Sequence, residues 1–181
     1  MDIQNYFEKQ LNTTNYWLSF AEAKNAALIV FNMTLIGMLV STDDLIMIYK
    51  LIFSIPFVIS IIISLCSFWP NIFEILKRKD ACKVNVNNHF KGKDNCKTNK
   101  NLLFYGNVAK IDDAKEYIEL VRTRYYSQVL MEDVETKINI DFANEIITNS
   151  KIAVKKYNMF KASLGIDIIM LIVAIVLLII A

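Results

Sequence analysis

The sequence has 181 residues, of which 55% are hydrophobic and only 21% are charged. A water-soluble domain of this size carries less apolar sequence, so the composition excludes an ordinary soluble protein. The net charge of +2 gives no support for binding a polyanion such as nucleic acid. Because the apolar residues form three blocks separated by polar sequence, we expect an all-α membrane protein with one large aqueous segment.

Residues 1–20 are predicted to form an N-terminal amphipathic helix, because their apolar residues recur every three or four positions. Tyr6, Tyr16, Trp17 and Phe20 widen the apolar face. This face is suited either to the lipid headgroup layer or to packing on the protein's own aqueous part. The segment lacks the charge and apolar order of a signal peptide.

The apolar blocks predict three membrane-spanning helices. Residues 21–70 are predicted to form a two-span hairpin, because only residues 41–44 separate the first block from the second. Residues 163–181 form the third span, which resembles a tail anchor. Lysine and arginine flank the second and third spans but are absent from 41–44. By the positive-inside rule, the N-terminus and residues 71–162 therefore face the cytoplasm.

A few polar residues interrupt or border these spans. Glu22 and Lys24 stand at the mouth of the first span, and Asn32 lies about two turns further in. Lys50 begins the second span and Asp167 lies near the start of the third. A buried amide usually finds a partner, so Asn32 either faces another helix or is merely tolerated. These five residues are candidates for packing or gating within the membrane.

Residues 71–162 are predicted to be a cytoplasmic helical sensor domain. Its connector holds two cysteines and one histidine at a spacing that does not match a zinc site, so no metal is expected. Residues 102–108 look β-like or loop-like, and a helix over 111–130 follows with Asp112 as its N-cap. A further helix from about 131 either breaks near 157–163 or continues into the third span. A continuous helix would extend over about 75 Å.

Catalysis has little support, because no phosphate-binding loop or catalytic motif occurs and the chain has a single histidine. Ligand binding is more plausible, since aromatic faces stack on bases and arginine pairs with phosphate. The alternative is that these aromatics form a small core with a basic rim. The candidate ligand-binding residues are Phe104, Tyr105, Asn107, Arg122, Arg124, Tyr126, Lys156 and Tyr157.

Several short patterns occur in an order that is itself informative. The first span opens on an acid-x-Lys-x-x-x-Leu-x-x-x-Asn pattern, a short hairpin follows, and then come the block Asn101–Gly106 and a Lys-Tyr pair before the terminal span. With these features the chain resembles the transmembrane effector family of the bacterial Pycsar anti-phage systems. Two positions depart from the family pattern. Glu22 stands where the family usually has Asp, and Asn25 stands where it commonly has Ala. The opening pattern consists of Glu22, Lys24, Leu28 and Asn32, and the pair is Lys156 and Tyr157.

The resemblance implies a function. In that family a pyrimidine cyclase makes cUMP or cCMP on infection, and the effector responds by impairing the bacterial inner membrane. The expected partners are therefore membrane lipid and a cyclic nucleotide, with no other cofactor and no nucleic acid. Driving a two-state change from 1:99 to 99:1 takes about 5.5 kcal/mol, so we expect several protomers to act together as a homo-oligomer. The alternatives are a membrane-anchored interaction protein and a holin-like pore, both without a nucleotide ligand.

Overall fold

The computed structural model describes residues 3–43, 47–69, 101–130, 134 and 136–180. These residues form five helices and no strand, which confirms the all-α prediction for the part of the chain described. The predicted connector, with its two cysteines and histidine, lies almost entirely outside the described residues. The helices are α1 (Ile3–Ser41), α2 (Met47–Cys66), α3 (Tyr105–Val108), α4 (Ala114–Tyr125) and α5 (Lys137–Ile180).

Two of the helices are unusually long. Helix α1 has 39 residues, so the predicted N-terminal helix and the first span form one rod of about 58 Å. Its only glycine is Gly37 and it contains no proline, so nothing in the sequence interrupts it near residue 20. Helix α5 has 44 residues and extends over about 66 Å. Of the two alternatives for the last aqueous helix, the structure has the continuous one: α5 begins at Lys137 and continues without a break into the third span.

Helices α1, α2 and α5 are each long and apolar enough to cross a membrane. They pack pairwise against one another, and together residues 21–41, α2 and residues 163–180 form what we call the bundle. Large apolar side chains such as Val30, Ile52 and Ile169 are exposed on its outside, as expected for a surface that contacts lipid tails. Helix α2 contains Pro56, which removes one backbone donor.

The other halves of α1 and α5 build a second unit with α3 and α4, which we call the module. Its core is apolar, and Tyr117 is the largest of its fully buried side chains. The side-chain amide of Gln10 on α1 donates to the carbonyls of Leu102 and Leu103, at 3.4 and 3.1 Å. The core consists of Ile3, Phe7, Leu102, Val108, Ile111, Ala114, Tyr117, Ile118, Val121, Val134, Ala143, Ile146 and Ile147.

The module differs from the sequence-based expectation in two details. Residues 102–108 form turns and the short helix α3, because burial of Leu102 and Val108 in a helical core favours a compact segment over a strand. The N-cap of α4 is Asp113, whose carboxylate accepts from the Glu116 backbone N–H. The predicted cap, Asp112, instead forms an ion pair with Lys151 of α5 at 2.6 Å.

Candidate functional site

Three buried polar side chains meet at the centre of the bundle, one from each helix. The Asn32 amide nitrogen donates to Ser60 Oγ at 2.8 Å and to Asp167 Oδ2 at 3.1 Å. Ser60 Oγ lies 3.0 Å from the same Asp167 oxygen. All three residues are at most 1% exposed. The cluster therefore ties α1, α2 and α5 together at one level by hydrogen bonds in an otherwise apolar region.

One turn nearer the module, serines continue this polar contact. Ser163 Oγ donates to the Ser60 backbone carbonyl at 2.9 Å, and Ser64 Oγ donates to Ser163 Oγ at 3.0 Å. Ser64 and Ser163 are fully buried. Small hydroxyl side chains let helix backbones approach closely, so this level packs α2 tightly against α5.

A charged contact closes the bundle where it joins the module. The ammonium of Lys156 lies 2.9 Å from Glu22 Oε1 and 2.9 Å from the Ser67 carbonyl, and it lies over the ring of Phe68. The Asn25 amide donates to the Lys156 carbonyl at 3.3 Å. Thus one lysine of α5 holds α1 and the segment after α2 together, and Glu22 is paired with Lys156. We call this row of buried polar side chains the polar seam. It consists of Asn25, Asn32, Ser60, Ser64, Ser67, Lys156, Ser163 and Asp167.

Next to the contact between Lys156 and Glu22, aromatic side chains surround the ammonium of Lys24. It lies 4.6 Å from the ring centroid of Phe20 and 5.4 Å from that of Tyr157. The ring of Tyr157 stacks on Tyr105 at 5.6 Å, and Tyr105 lies 5.7 Å from Trp17. This aromatic cluster joins α1, α3 and α5 and is rich in the amphipathic rings that favour a membrane interface.

The module also carries an open groove of about 600 Å³, lined by Tyr6, Leu103, Tyr125 and Tyr126. The ring of Tyr6 lies 5.7 Å from that of Tyr125 and 6.1 Å from that of Tyr126. Burial raises the pKa of Tyr6, and the neighbouring phenols add to the rise, so its hydroxyl is neutral at physiological pH. Arg124 directly precedes the lining residue Tyr125 in the chain, and its charge acts on the pKa of Tyr6 in the opposite direction.

The eight predicted ligand residues do not form one site. Phe104, Tyr105 and Tyr157 belong to the aromatic cluster, whereas Lys156 belongs to the polar seam. Tyr126 lines the groove, and Arg124 directly precedes the lining residue Tyr125. The amide of Asn107 donates to the Asn101 carbonyl at 3.3 Å, and Arg122 donates to the Val129 carbonyl at 3.2 Å. Lys50 donates to the Val40 carbonyl at the end of the bundle remote from the module.

Sequence reasoning missed the serines of the seam and the contribution of Tyr6 to the groove. A signal for the serines was present, because Ser60 and Ser64 are four residues apart and recur on one face of α2. The same spacing separates Ser163 from Asp167 on α5. No local signal could bring Tyr6 to Tyr125, because that contact depends on how α1 packs on α4.

Comparison with known proteins gives one result. No curated protein and no solved structure matches the chain significantly. The family described as the Pycsar effector protein domain matches residues 6–181, which is nearly the whole chain. That range includes the groove, the aromatic cluster and the polar seam. The chain therefore belongs to the Pycsar effector protein domain family, and this membership supports a role as an effector in anti-phage defence.

Proposed function

We propose that this protein is a membrane effector of anti-phage defence that is activated by a cyclic pyrimidine nucleotide, cUMP or cCMP, and then impairs the inner membrane. The observation that carries the proposal is the family match over residues 6–181, which joins the module and the bundle in a single effector domain. Three helices long and apolar enough to span a membrane are consistent with lipid as the target.

The groove on the module is the better candidate for the nucleotide site. Its volume of about 600 Å³ lies within the range of small-molecule pockets. Three tyrosine rings can stack on a pyrimidine base, and the guanidinium of Arg124 can pair with the cyclic phosphate. In the aromatic cluster the rings of Tyr105 and Tyr157 stack on each other with 22° between their planes, whereas Tyr6 meets Tyr125 and Tyr126 in the groove at 41° and 75°.

The groove and the bundle are connected by continuous helices. Tyr6 and Asn32 lie on the same helix, α1, about 39 Å apart along its axis. Helix α5 contacts α1 at three levels: Asn149 with Asn15 at 2.8 Å, Lys156 with Glu22, and Asp167 with Asn32. A nucleotide that changes how α1 packs on the module would therefore change its contacts in the bundle.

Ligand energetics favour several protomers per active unit. A nucleotide shifts an equilibrium only by its difference in affinity between the two states, and a nearly complete switch takes about 5.5 kcal/mol. We expect one small anion in an open groove to supply less than this. The protein accordingly acts as a homo-oligomer, in which several nucleotides contribute to one transition.

The module faces the cytoplasm in this proposal. Lys151, Lys155 and Lys161 precede the bundle on α5, and residues 41–44 at its other end contain no lysine or arginine. This asymmetry is the one that the positive-inside rule requires for a bacterial inner-membrane protein. A nucleotide made in the cytoplasm would then reach the groove directly.

The test is loss of a potassium gradient from sealed liposomes that contain the full chain. Addition of cUMP or cCMP should dissipate the gradient, whereas inorganic phosphate should not. Arg124→Ala should weaken the response, and Lys137→Ala, which removes one charge outside the groove, should leave it unchanged. A gradient lost equally with and without nucleotide would indicate a constitutive pore. A gradient that no cyclic nucleotide affects would reject the proposal.

A further inference from the structure

The polar seam contains an excess of hydrogen-bond acceptors. Every side-chain nitrogen in it has a partner: the amides of Asn25 and Asn32 and the ammonium of Lys156. Four buried oxygens of the seam lack any partner among the described residues. These atoms are Asn25 Oδ1, Asn32 Oδ1, Ser67 Oγ and Asp167 Oδ1.

Unpaired buried oxygens have a definite physical meaning. A buried polar atom without a partner is destabilising, and a buried carboxylate oxygen without one is more so. The oxygens present negative partial charge along the interface between the helices, and Asp167 adds a formal charge when it is ionised. No lysine or arginine occurs in residues 25–42, 51–66 or 162–180 to offset it. Such an environment favours cations and disfavours anions.

The end of the seam nearest the module already holds a cation. The ammonium of Lys156 lies between the Glu22 carboxylate and the Ser67 carbonyl, both at 2.9 Å. This resident charge blocks the entrance from the module side. At the other end of the seam, Phe57 is buried one turn beyond Ser60, on the same face of α2. Among the described residues, no buried polar side chain lies beyond it in the bundle.

The geometry points to the polar seam as a path for monovalent cations, with Asn32 and Asp167 as its central binding site and Lys156 and Phe57 as its two closures. The inference rests on the proposed function, because the path opens when the bundle rearranges. It specifies the damage that the effector causes. Current is carried by potassium, sodium or protons through the protein, and bulk lipid stays intact.

The experiment measures the reversal potential of the full chain in a planar bilayer under a potassium chloride gradient, with cUMP or cCMP added. The current should reverse near the potassium equilibrium potential. Asp167→Asn keeps the size of the side chain but removes its charge, so the ratio of potassium to chloride permeability should fall several-fold. A matched control is Asp43→Asn, which removes an acid outside the seam and should leave the ratio unchanged.

A second variant keeps the test independent of the nucleotide. The double variant Phe57→Ala/Lys156→Met removes both closures, so it should conduct cations in the absence of ligand. If the wild type ignores nucleotides while the double variant conducts selectively, the proposed activation fails but the path stands. A current that reverses at zero potential, an unaltered ratio in Asp167→Asn, or a silent double variant would each overturn the path.

Discussion

The contact between Lys156 and Glu22 should hold the bundle closed, and Lys156→Met tests this. The substitution keeps an unbranched side chain of similar length, so packing against Phe68 is largely retained. It removes the ammonium, and with it both the ion pair to Glu22 and the hydrogen bond to the Ser67 carbonyl. Helix α5 then loses its charged link to α1 and to the end of α2.

The size of the effect follows from burial. The Lys156 side chain is 11% exposed, but that of Glu22 is 44% exposed, so solvent weakens the ion pair. A partly exposed pair contributes about 0.5 kcal/mol and the buried charged hydrogen bond to the Ser67 carbonyl about 1.5 kcal/mol. The closed state would therefore lose about 2 kcal/mol, which raises the open population about 30-fold. Glu22→Gln leaves the contact between Lys156 and the Ser67 carbonyl intact, so it should raise the open population only about 2-fold.

The assay is loss of a potassium gradient from liposomes without any nucleotide, with circular dichroism to verify that the helices are intact. Lys161→Met is the matched control, because it removes a charge at an exposed position on the same helix. Lys156→Met should leak faster than both the wild type and this control. If it retains the gradient as well as they do, with unchanged helicity, the contact does not hold the bundle closed.

Three further predictions concern the bundle and the module. Asn32→Leu should slow nucleotide-triggered loss of the potassium gradient, because it replaces the amide of the proposed central cation site by an apolar group; an unchanged rate would contradict this role. Ile146→Ala should destabilise the module by about 2–5 kcal/mol, because the side chain is fully buried, whereas Ile138→Ala at an exposed site should have little effect on the melting temperature in detergent. Burial raises the pKa of Tyr6 and Tyr117 above the usual value near 10, so the unfolded chain loses these protons first and stability should fall as pH rises above about 10. Tyr6→Phe should reduce that fall, and an identical decline in melting temperature would refute the assignment.

Composition and periodicity predicted helices in the segments that α1 and α5 occupy, because apolar length and periodicity are local properties of the sequence. They did not predict that residues 1–20 and the first span form a single helix, and they left open whether the last helix continues into the third span. The end of α4 was harder to predict. The predicted helix over 111–130 ends at Tyr125. The backbone N–H of the next residue, Tyr126, donates to the Arg122 carbonyl and closes the last turn. The start of α4 also differs, because Asp112 pairs with Lys151, a residue of another helix.

The candidate sites were less predictable than the fold. Asn32 and Asp167 stood out because strongly polar residues are costly in an apolar span, whereas the only sequence signal for their partner Ser60 is its four-residue spacing from Ser64. Likewise Lys156 was selected as a ligand residue, although its ammonium is engaged by Glu22. Asn32 and Ser60 are 28 positions apart, and the other pairings join residues more than a hundred positions apart, so only the packing of three helices determines them.

The central claim is that a signal in the module changes the arrangement of the bundle, and one distance measurement tests it most directly. Spin labels are attached at Val40→Cys and Ile175→Cys in a variant whose native cysteines are replaced. These two positions are exposed on α1 and α5 in the bundle, so the labels report the separation of the two helices. The account predicts that cUMP or cCMP shifts the distance distribution in liposomes and that Arg124→Ala reduces the shift. A distribution unchanged by either nucleotide at saturating concentration would contradict it.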